Sequence, residues 1–374
     1  MVPNLRFNND PYKKYNLYEF ATRVTRKNKD NVSNLPLTIS AQYGLVDQVS
    51  FFNKTVASKD MSGYYLLKNG EFAYNKSYSN DYPWGAIKRL DLYDMGCLST
   101  LYICFKTNDN IVNSNYLVHY FESSKWHKQV ADIAGEGARN HGLLNIVVND
   151  FFNTKHAVPT IENQIKIAGF LDLIEKRIQT QIKIIDDYNS LKMGIYNWMF
   201  KENYADYKLK QLAYIVKGDQ INNDQLLSNG SYYMMNGGAS PSGYLDSYNV
   251  SENTISISEG GNSCGYVQFN SSPFWSGGHC YTIQNVNSAL IENKYLYHYL
   301  KYKEKEIMNL RIGTGLPNIQ KKDLENFTIF VPSLLIQRKN LALFEMLDEK
   351  ICILNEELER LEMQKKYLLR NMFI

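Results

Sequence analysis

The sequence lacks the features of several common protein classes. Its 374 residues include only five cysteines, an odd number without a C-x-x-C pair, so we expect neither a disulfide framework nor a zinc ribbon. It has no run of about 18 apolar residues, which argues against a membrane-spanning helix. The first residues contain no apolar stretch typical of a signal peptide. We therefore expect a protein of the reducing cytoplasm without a membrane partner.

Common signatures of catalysis are also missing. The dipeptide Gly-Lys does not occur, so there is no phosphate-binding P-loop with its lysine, and the H-E-x-x-H metal motif is absent. His279 and Cys280 are adjacent, but no second pair of ligands accompanies them, and such a pair more often lies in a packed turn. We therefore expect a binding protein, with no catalytic residue, cofactor-binding residue or metal ligand in this chain.

Net charge says little about the partner. Lys and Arg number 41 against 38 Asp and Glu, which gives a formal charge of +3. The region 201–331 carries 11 basic and 12 acidic residues, so it is not basic as a whole. Any affinity for nucleic acid there must come from local patches or from a basic partner protein.

The chain repeats itself at a spacing of 173 residues. Residues 145–200 align with 318–373 without a gap and share 12 identities in 56 positions. Upstream, YLVHY at 116–120 matches YLYHY at 295–299. A tandem duplication of this kind predicts two globular regions, each followed by a helical segment. Chance similarity between two amphipathic helices is the alternative, and the constant spacing argues against it.

Each duplicated segment has a proline followed by a run with helical periodicity. Proline is tolerated at a helix start, and Pro159 and Pro332 each precede such a run. Each helix would be about 60 Å long and would need a partner to bury its apolar seam. We predict that the two helices pair as an antiparallel coiled coil, although docking of each helix on its own domain is an alternative. The predicted pairing residues are Ile174, Ile178, Ile182, Ile185, Leu347, Ile351, Leu354, Leu358 and Leu361.

The two globular regions are rich in Tyr, Thr, Ser, Asn and Gly. Short alternating runs at 254–258 and 99–105 predict strands, whereas 111–130 and 286–310 favour helices. We predict an α+β fold with pseudo-two-fold symmetry, in which two globular domains alternate with the two long helices. The predicted boundaries are 1–158 and 201–331 for the globular domains, and 159–200 and 332–374 for the helical spacers.

These features resemble the specificity subunits of type I restriction-modification systems, and the likeness extends over the whole chain. Its most specific part is the strand-proline-helix passage, VPTIENQ at 158–164, which recurs as VPSLLIQ at 331–337. The resemblance implies that each globular part is a target-recognition domain that reads one half of a bipartite site in double-stranded DNA. The helices would set the gap between the two halves, about one turn of DNA.

The same resemblance implies the partners of the chain. Two methyltransferase subunits would dock on it, restriction subunits would join the complex, and all would lie in a bacterial or archaeal cytoplasm. S-adenosylmethionine, ATP and Mg would be bound by those partner subunits and none by this chain. Two other readings stay open: a non-DNA adaptor with two β-rich ligand modules on a coiled coil, and a methyltransferase or nuclease with diverged motifs.

Candidate DNA contacts lie in polar and glycine-rich loops. Lys and Arg neutralise phosphates, and Asn, Ser, Arg and Lys read base edges. Glycine clusters at 236–238, 259–262 and 276–279 would let backbone approach a duplex closely, although most such clusters are simply turns. The candidates are Lys76, Ser77, Tyr78, Trp84, Lys88, Arg89, Arg139, Asn140, Asn236, Ser242, Tyr244, Asn262, His279 and Arg311.

Overall fold

The computed structural model describes residues 12–40, 43–79, 82–135, 142–200, 204–313, 315 and 317–373. The chain divides into two compact units, one made of 1–181 with 357–374 and the other of 182–356. Both units are α+β, and each contains a part of both long helices. None of the described helices combines the length and the apolar character that crossing a membrane requires.

The first unit consists of short strands and helices that lead into the first long helix, α6. In chain order these elements are β1 (Lys13–Asn16), α1 (Leu17–Phe20), β2 (Ala21–Arg23), β3 (Leu37–Ser40), β4 (Gly44–Asp47), α2 (Gln48–Phe52), β5 (Tyr65–Lys68), β6 (Phe72–Asn75), β7 (Ala86–Arg89), β8 (Met95–Leu98), β9 (Ile103–Thr107), α3 (Ser114–Glu122), α4 (His127–Ile133), α5 (Val148–Phe152), β10 (Lys155–Val158) and α6 (Ile161–Met199).

An antiparallel sheet in the order β2-β9-β6-β7 carries the core of the first unit. Phe72 on β6 stacks against Phe105 on β9 with ring centroids 5.3 Å apart, and both rings are fully buried. Strand β1 pairs with β10, the strand that leads into α6. Strand β9 begins at Ile103, later than the alternation predicted, because 99–102 form a turn in which the Tyr102 N–H donates to the Ser99 carbonyl at 3.2 Å.

The second unit has a similar series of elements and ends in the second long helix, α11. These elements are β11 (Ala205–Lys208), α7 (Leu209–Leu212), β12 (Tyr214–Lys217), β13 (Tyr232–Met235), β14 (Gly243–Leu245), β15 (Thr254–Ser258), β16 (Val267–Asn270), β17 (Trp275–Ser276), β18 (Cys280–Gln284), α8 (Asn293–Tyr302), α9 (Glu304–Met308), α10 (Lys321–Glu325), β19 (Thr328–Val331) and α11 (Leu334–Met372).

The second unit repeats the plan of the first. Its main antiparallel sheet has the order β12-β18-β15-β16, with Ile255, Ile257 and Ile283 buried in the core. Strand β11 pairs with β19 as β1 pairs with β10. A smaller sheet, β14-β13-β17, lies in the same unit and includes a parallel pair between β13 and β17. The predicted α+β architecture with long helices is therefore confirmed.

A buried glutamine anchors the start of each long helix. Gln164 accepts a hydrogen bond from the Asn113 N–H at 2.7 Å and donates to the carbonyls of Pro159 at 2.9 Å and Ile111 at 3.2 Å. Gln337 makes the equivalent three bonds within the second unit, at 2.8, 2.8 and 2.9 Å. The repeated proline-glutamine motif thus satisfies buried backbone groups that would otherwise lack partners, and it ties each helix to a globular part.

Within each unit, a part of α6 packs against a part of α11. In the second unit, Lys192 forms an ion pair with Asp348, and the rings of Tyr196 and Phe344 lie 4.8 Å apart. Lys192 precedes Tyr196 on α6, whereas its partner Asp348 follows Phe344 on α11. The two helices therefore pack antiparallel.

The first unit contains the repeat-equivalent contact. Lys365 pairs with Glu175 at 2.6 Å and with Glu122 at 3.1 Å. Lys365 and Glu175 correspond, at the spacing of the duplication, to Lys192 and Asp348. The duplication therefore preserves the same cross-helix ion pair in both units.

All nine residues predicted to pair the helices are buried or half-buried. Ile161 and Ile165, which fit the same periodicity, are instead 40% and 55% exposed. The first turns of α6 direct Gln164, Ile167 and Ala168 inward, because this end of the helix packs on the globular core. The predicted residues are buried at Ile178, Ile185, Leu347, Leu354 and Leu361 and half-buried at Ile174, Ile182, Ile351 and Leu358.

Each unit also contains a histidine that burial keeps neutral. In the first unit, the Tyr120 hydroxyl lies 2.9 Å from Nδ1 of His156, and the Thr154 hydroxyl lies 2.8 Å from Nε2. Burial lowers the pKa of His156 to about 4. In the second unit, burial and then the charge of Lys192 lower the pKa of His298 to about 3. Both rings are therefore uncharged structural groups near neutral pH.

Candidate nucleic-acid interface

The second unit has an open groove of about 490 Å³ where several loops meet. The loop between β13 and β14, the glycine-rich turn after β15 and the end of β12 line it, together with residues 317–318. Three of the predicted DNA contacts, Asn236, Ser242 and His279, come together in this groove. They are far apart in the sequence, and only the fold places them side by side.

A nearly buried carboxylate lies in the wall of the groove. Glu259 is 7% exposed, and its Oε1 accepts hydrogen bonds from Lys217 Nζ at 2.6 Å and from the Tyr281 hydroxyl at 3.0 Å. Burial and the bond to this carboxylate raise the pKa of Tyr281, so its hydroxyl retains the proton that it donates. Oε2 of Glu259 is buried and has no hydrogen-bond partner among the described residues. An acceptor in that state costs about 1–3 kcal/mol.

His279 projects from a backbone that is fixed on both sides. Its N–H donates to Asn236 Oδ1 at 2.8 Å, and its carbonyl accepts from the Glu259 N–H at 2.9 Å. The imidazole is 60% exposed, and Nδ1 lies 3.6 Å from Glu259 Oε2, longer than a hydrogen bond. The groove therefore presents an exposed ring next to a buried acceptor that lacks a donor.

The glycines of this region allow neighbouring loops to pack closely on one another. A Cβ at Gly277 would lie 2.5 Å from the Met234 side chain, and a Cβ at Gly237 would lie 2.9 Å from the Gly260 carbonyl. At Gly278 it would meet Gln220. Close approach to DNA was the reason proposed for these glycines from sequence. In the structure, Gly237 lies too close to the backbone of Gly260 for a Cβ, whereas the atoms nearest to Gly277 and Gly278 are the ends of side chains that could move.

The other predicted contacts of the second unit lie outside the residues that line the groove. Tyr244 is half-buried on β14, opposite Tyr233. Asn262 is exposed in the turn that follows β15, and Arg311 is exposed after α9. Sequence reasoning, for its part, missed Lys217 and Glu259. The motif EGGN at 259–262 was noticed for its glycines, but an acidic residue beside glycines carries no sequence signal for burial.

Two features of the second unit that look catalytic are structural. Cys280 is 1% exposed, and burial raises the pKa of its thiol to about 11, so it is not a reactive thiolate. The pentapeptide GNSCG at 261–265 matches the hydrolase pattern G-x-S-x-G, which sequence reasoning overlooked. It forms the turn between the antiparallel strands β15 and β16, whereas a hydrolase elbow joins a strand to a helix.

In the first unit, two of the predicted basic contacts already have acidic partners. Lys88 forms an ion pair with Glu122 at 3.3 Å, and Arg89 pairs with Asp91 at 2.6 Å. Arg89 also donates to Asn115 Oδ1 at 2.8 Å. A phosphate or base would have to compete with these contacts.

Four of the remaining candidates of the first unit follow β6 or precede β7. Lys76 is half-buried, and the exposed Ser77 and Tyr78 pair with residues 142–143. Trp84 is half-buried, and its carbonyl accepts a hydrogen bond from the Tyr74 hydroxyl at 2.8 Å. The last two candidates, Arg139 and Asn140, lie outside the described residues.

The described residues contain no group of three or more His, Cys, Asp or Glu arranged to hold a metal ion. The five cysteines are free thiols, and all but Cys352 are buried. The polar loops of the second unit are thus the best-defined candidate site.

Comparison with known proteins finds similar sequences for part of the chain. Residues 201–363 match the family model of the type I restriction modification DNA specificity domain. Over 158 residues the chain is 34% identical to a type I specificity subunit of Mycoplasma pneumoniae. This part of the chain is therefore similar to the DNA specificity domain of type I restriction-modification systems. The alignment covers 42% of this chain and 42% of the relative, so it spans less than half of the relative's length.

Solved structures of specificity subunits have the same fold. The crystal structure of the type I restriction-modification S subunit from Mycoplasma genitalium superposes with a TM-score of 0.63 at 18% identity, over 100% of this chain and 99% of that one. A second structure, from work on complex assembly and conformational transition of the type I system, gives a TM-score of 0.58 at 17% identity and covers 96% of each chain. At these identities the similarity concerns the fold.

Proposed function

We propose that this chain is a specificity subunit that directs a type I restriction-modification complex to a bipartite site in double-stranded DNA and performs no chemistry itself. Regions 1–158 and 201–331 act as target-recognition domains, and each reads one half of the site. One observation carries the proposal: the DNA specificity domain matches 201–363, and the first unit repeats the sheet order and glutamine anchor of the second. Helices 159–200 and 332–374 set the gap between the halves.

The proposed DNA contacts of the second unit are its exposed polar side chains. His279 and Ser242 lie in the groove, and Asn262 and Arg311 lie in exposed segments of the same unit. Arginine suits phosphates and guanine edges, while serine and asparagine accept and donate at other base edges. This unit is not basic overall, so a methyltransferase partner would supply part of the electrostatic attraction to DNA.

Two methyltransferase subunits and the restriction subunits are the proposed protein partners. Leu173 in the first unit and Met346 in the second are equivalent in the duplication, and they are 67% and 59% exposed. Apolar residues at equivalent places suit two copies of one partner. S-adenosylmethionine, ATP and Mg would then be held by the partner subunits, which carry out methylation and restriction.

The test is single-molecule methylome sequencing of a host that expresses this chain with a type I methyltransferase subunit. A host with the methyltransferase subunit alone is the control. We expect a new methyladenine motif made of two short words separated by a fixed gap. With both subunits expressed and associated, absence of any new motif would contradict the proposal and favour an adaptor whose two modules bind other ligands.

A further inference from the structure

We propose that His279 reads one base pair of the half-site recognised by the second unit, and that Glu259 is the positioning residue that orients its ring. The inference rests on the proposed DNA-binding function and goes further, because it assigns the role to two residues and names the group they recognise. That group is the exocyclic amino group of adenine or cytosine in the major groove.

The first observation is that the backbone of His279 is held in place. Hydrogen bonds to Asn236 and Glu259 hold its backbone on both sides, at 2.8 and 2.9 Å. Behind it, a side chain at Gly277 or Gly278 would displace the end of the Met234 or the Gln220 side chain. Because the backbone is already fixed, only the side-chain torsions of the ring must be ordered when it contacts a ligand, which favours accurate readout.

The second step is the unfilled acceptor beside the ring. Lys217 and Tyr281 occupy Oε1 of Glu259, whereas Oε2 has no donor among the described residues and lies 3.6 Å from Nδ1 of His279. A shift of the ring by well under 1 Å brings Nδ1–H into hydrogen-bond range. The cost of leaving a buried carboxylate oxygen unpaired favours this tautomer, with the proton on Nδ1.

The third step is the chemistry of the outward nitrogen. When the ring carries a single proton, on Nδ1, it presents Nε2 as an acceptor at the groove. In the major groove, adenine N6 and cytosine N4 are the amino donors, whereas guanine and thymine offer acceptors at the corresponding positions. A phosphate is also an acceptor and does not pair with such a nitrogen. The arrangement therefore distinguishes an amino-bearing base from the others.

The experiment compares His279→Ala and Glu259→Gln with the parent chain, each co-expressed with the methyltransferase subunit and sequenced for its methylome. Lys305→Ala, an exposed position on α9 outside the groove-lining residues, is the control. We expect both groove variants to relax the same single position of one word, with about a 5- to 10-fold loss of base preference. The other word and the gap stay unchanged, and the control keeps the parent motif.

A second measurement tests the positioning without DNA. Long-range proton–nitrogen spectra of the histidine-labelled chain distinguish the two tautomers, and the spectrum of His279→Ala assigns the signal. We expect the parent to carry the proton on Nδ1 and Glu259→Gln to show a mixture. This readout would not respond if Glu259 only stabilised the fold.

Several outcomes would overturn the inference. An unchanged motif in His279→Ala shows that the ring reads no base. A uniform loss of methylation across sequences, with the variant folded, shows a phosphate or structural role instead. A parent signal with the proton on Nε2 refutes the role of Glu259. A parent chain that directs no bipartite motif refutes the proposed function itself, and this result is distinct from the first three.

Discussion

Replacing Gln337 with leucine should destabilise the second unit selectively. The amide is fully buried and makes three hydrogen bonds, from the Glu292 N–H and to the carbonyls of Leu290 and Pro332. Leucine has a similar volume but leaves one N–H and two carbonyls without partners. At a net value of about 1 kcal/mol for each bond, the free energy of unfolding should fall by about 3 kcal/mol.

The assay must report the two units separately, because a chain with two units need not unfold in one step. Hydrogen exchange read by mass spectrometry along a urea series does so, through peptides of β15 and β18 for the second unit and of β6 and β9 for the first. The midpoint of the second unit should fall by about 1–2 M urea, given the usual dependence on denaturant. Gln164→Leu should produce the mirrored result, a loss confined to the first unit.

Gln364→Leu is the matched control, because this glutamine is exposed on α11. A substitution at such a position should change stability by less than about 0.5 kcal/mol. If Gln337→Leu has no larger effect than Gln364→Leu, the anchoring role of the buried glutamine is refuted. A loss shared equally by both units would instead show that the anchor acts on the chain as a whole.

Two further predictions concern the helices and pH. Leu354→Pro places a proline inside α11 and should cost at least about 3 kcal/mol, with lower helical circular dichroism and a larger hydrodynamic radius; unchanged values would contradict the helix packing. Acidification should destabilise the first unit, because the pKa of His156 is about 4 when folded and 6.5 when exposed. The unfolded chain therefore binds a proton that the folded chain excludes, and stability present above pH 6.5 decreases toward pH 4, by up to about 3 kcal/mol. His298 should act in the same direction in the second unit, and His156→Gln should flatten the urea midpoint of the first unit against pH. An equal slope in parent and variant would assign the effect to other groups.

The architecture could be predicted from the sequence because the patterns that indicate it are local or repeated along the chain. The constant spacing of the duplication, the prolines before two apolar-periodic runs and the glutamines five residues beyond them all survive in one chain without an alignment. A helix of about 40 residues expresses its period many times over, so single exceptions such as Ile161 and Ile165 do not hide it. Those exceptions arise where the helix leaves its partner and packs on a globular part.

The candidate site could be located only from the tertiary structure. Glu259 and His279 are twenty residues apart, Lys217 comes from another strand, and nothing in their spacing indicates that one carboxylate oxygen is satisfied and the other is not. Composition favoured Lys88 and Arg89, which the fold joins to acidic partners. Sequence by itself determined the repeat, the helices and the family resemblance, since these follow from periodicity and identity along the chain. The fold decided which polar groups remain available to a ligand. Hydrogen bonds between loops that are distant in sequence engage some side chains and leave others exposed.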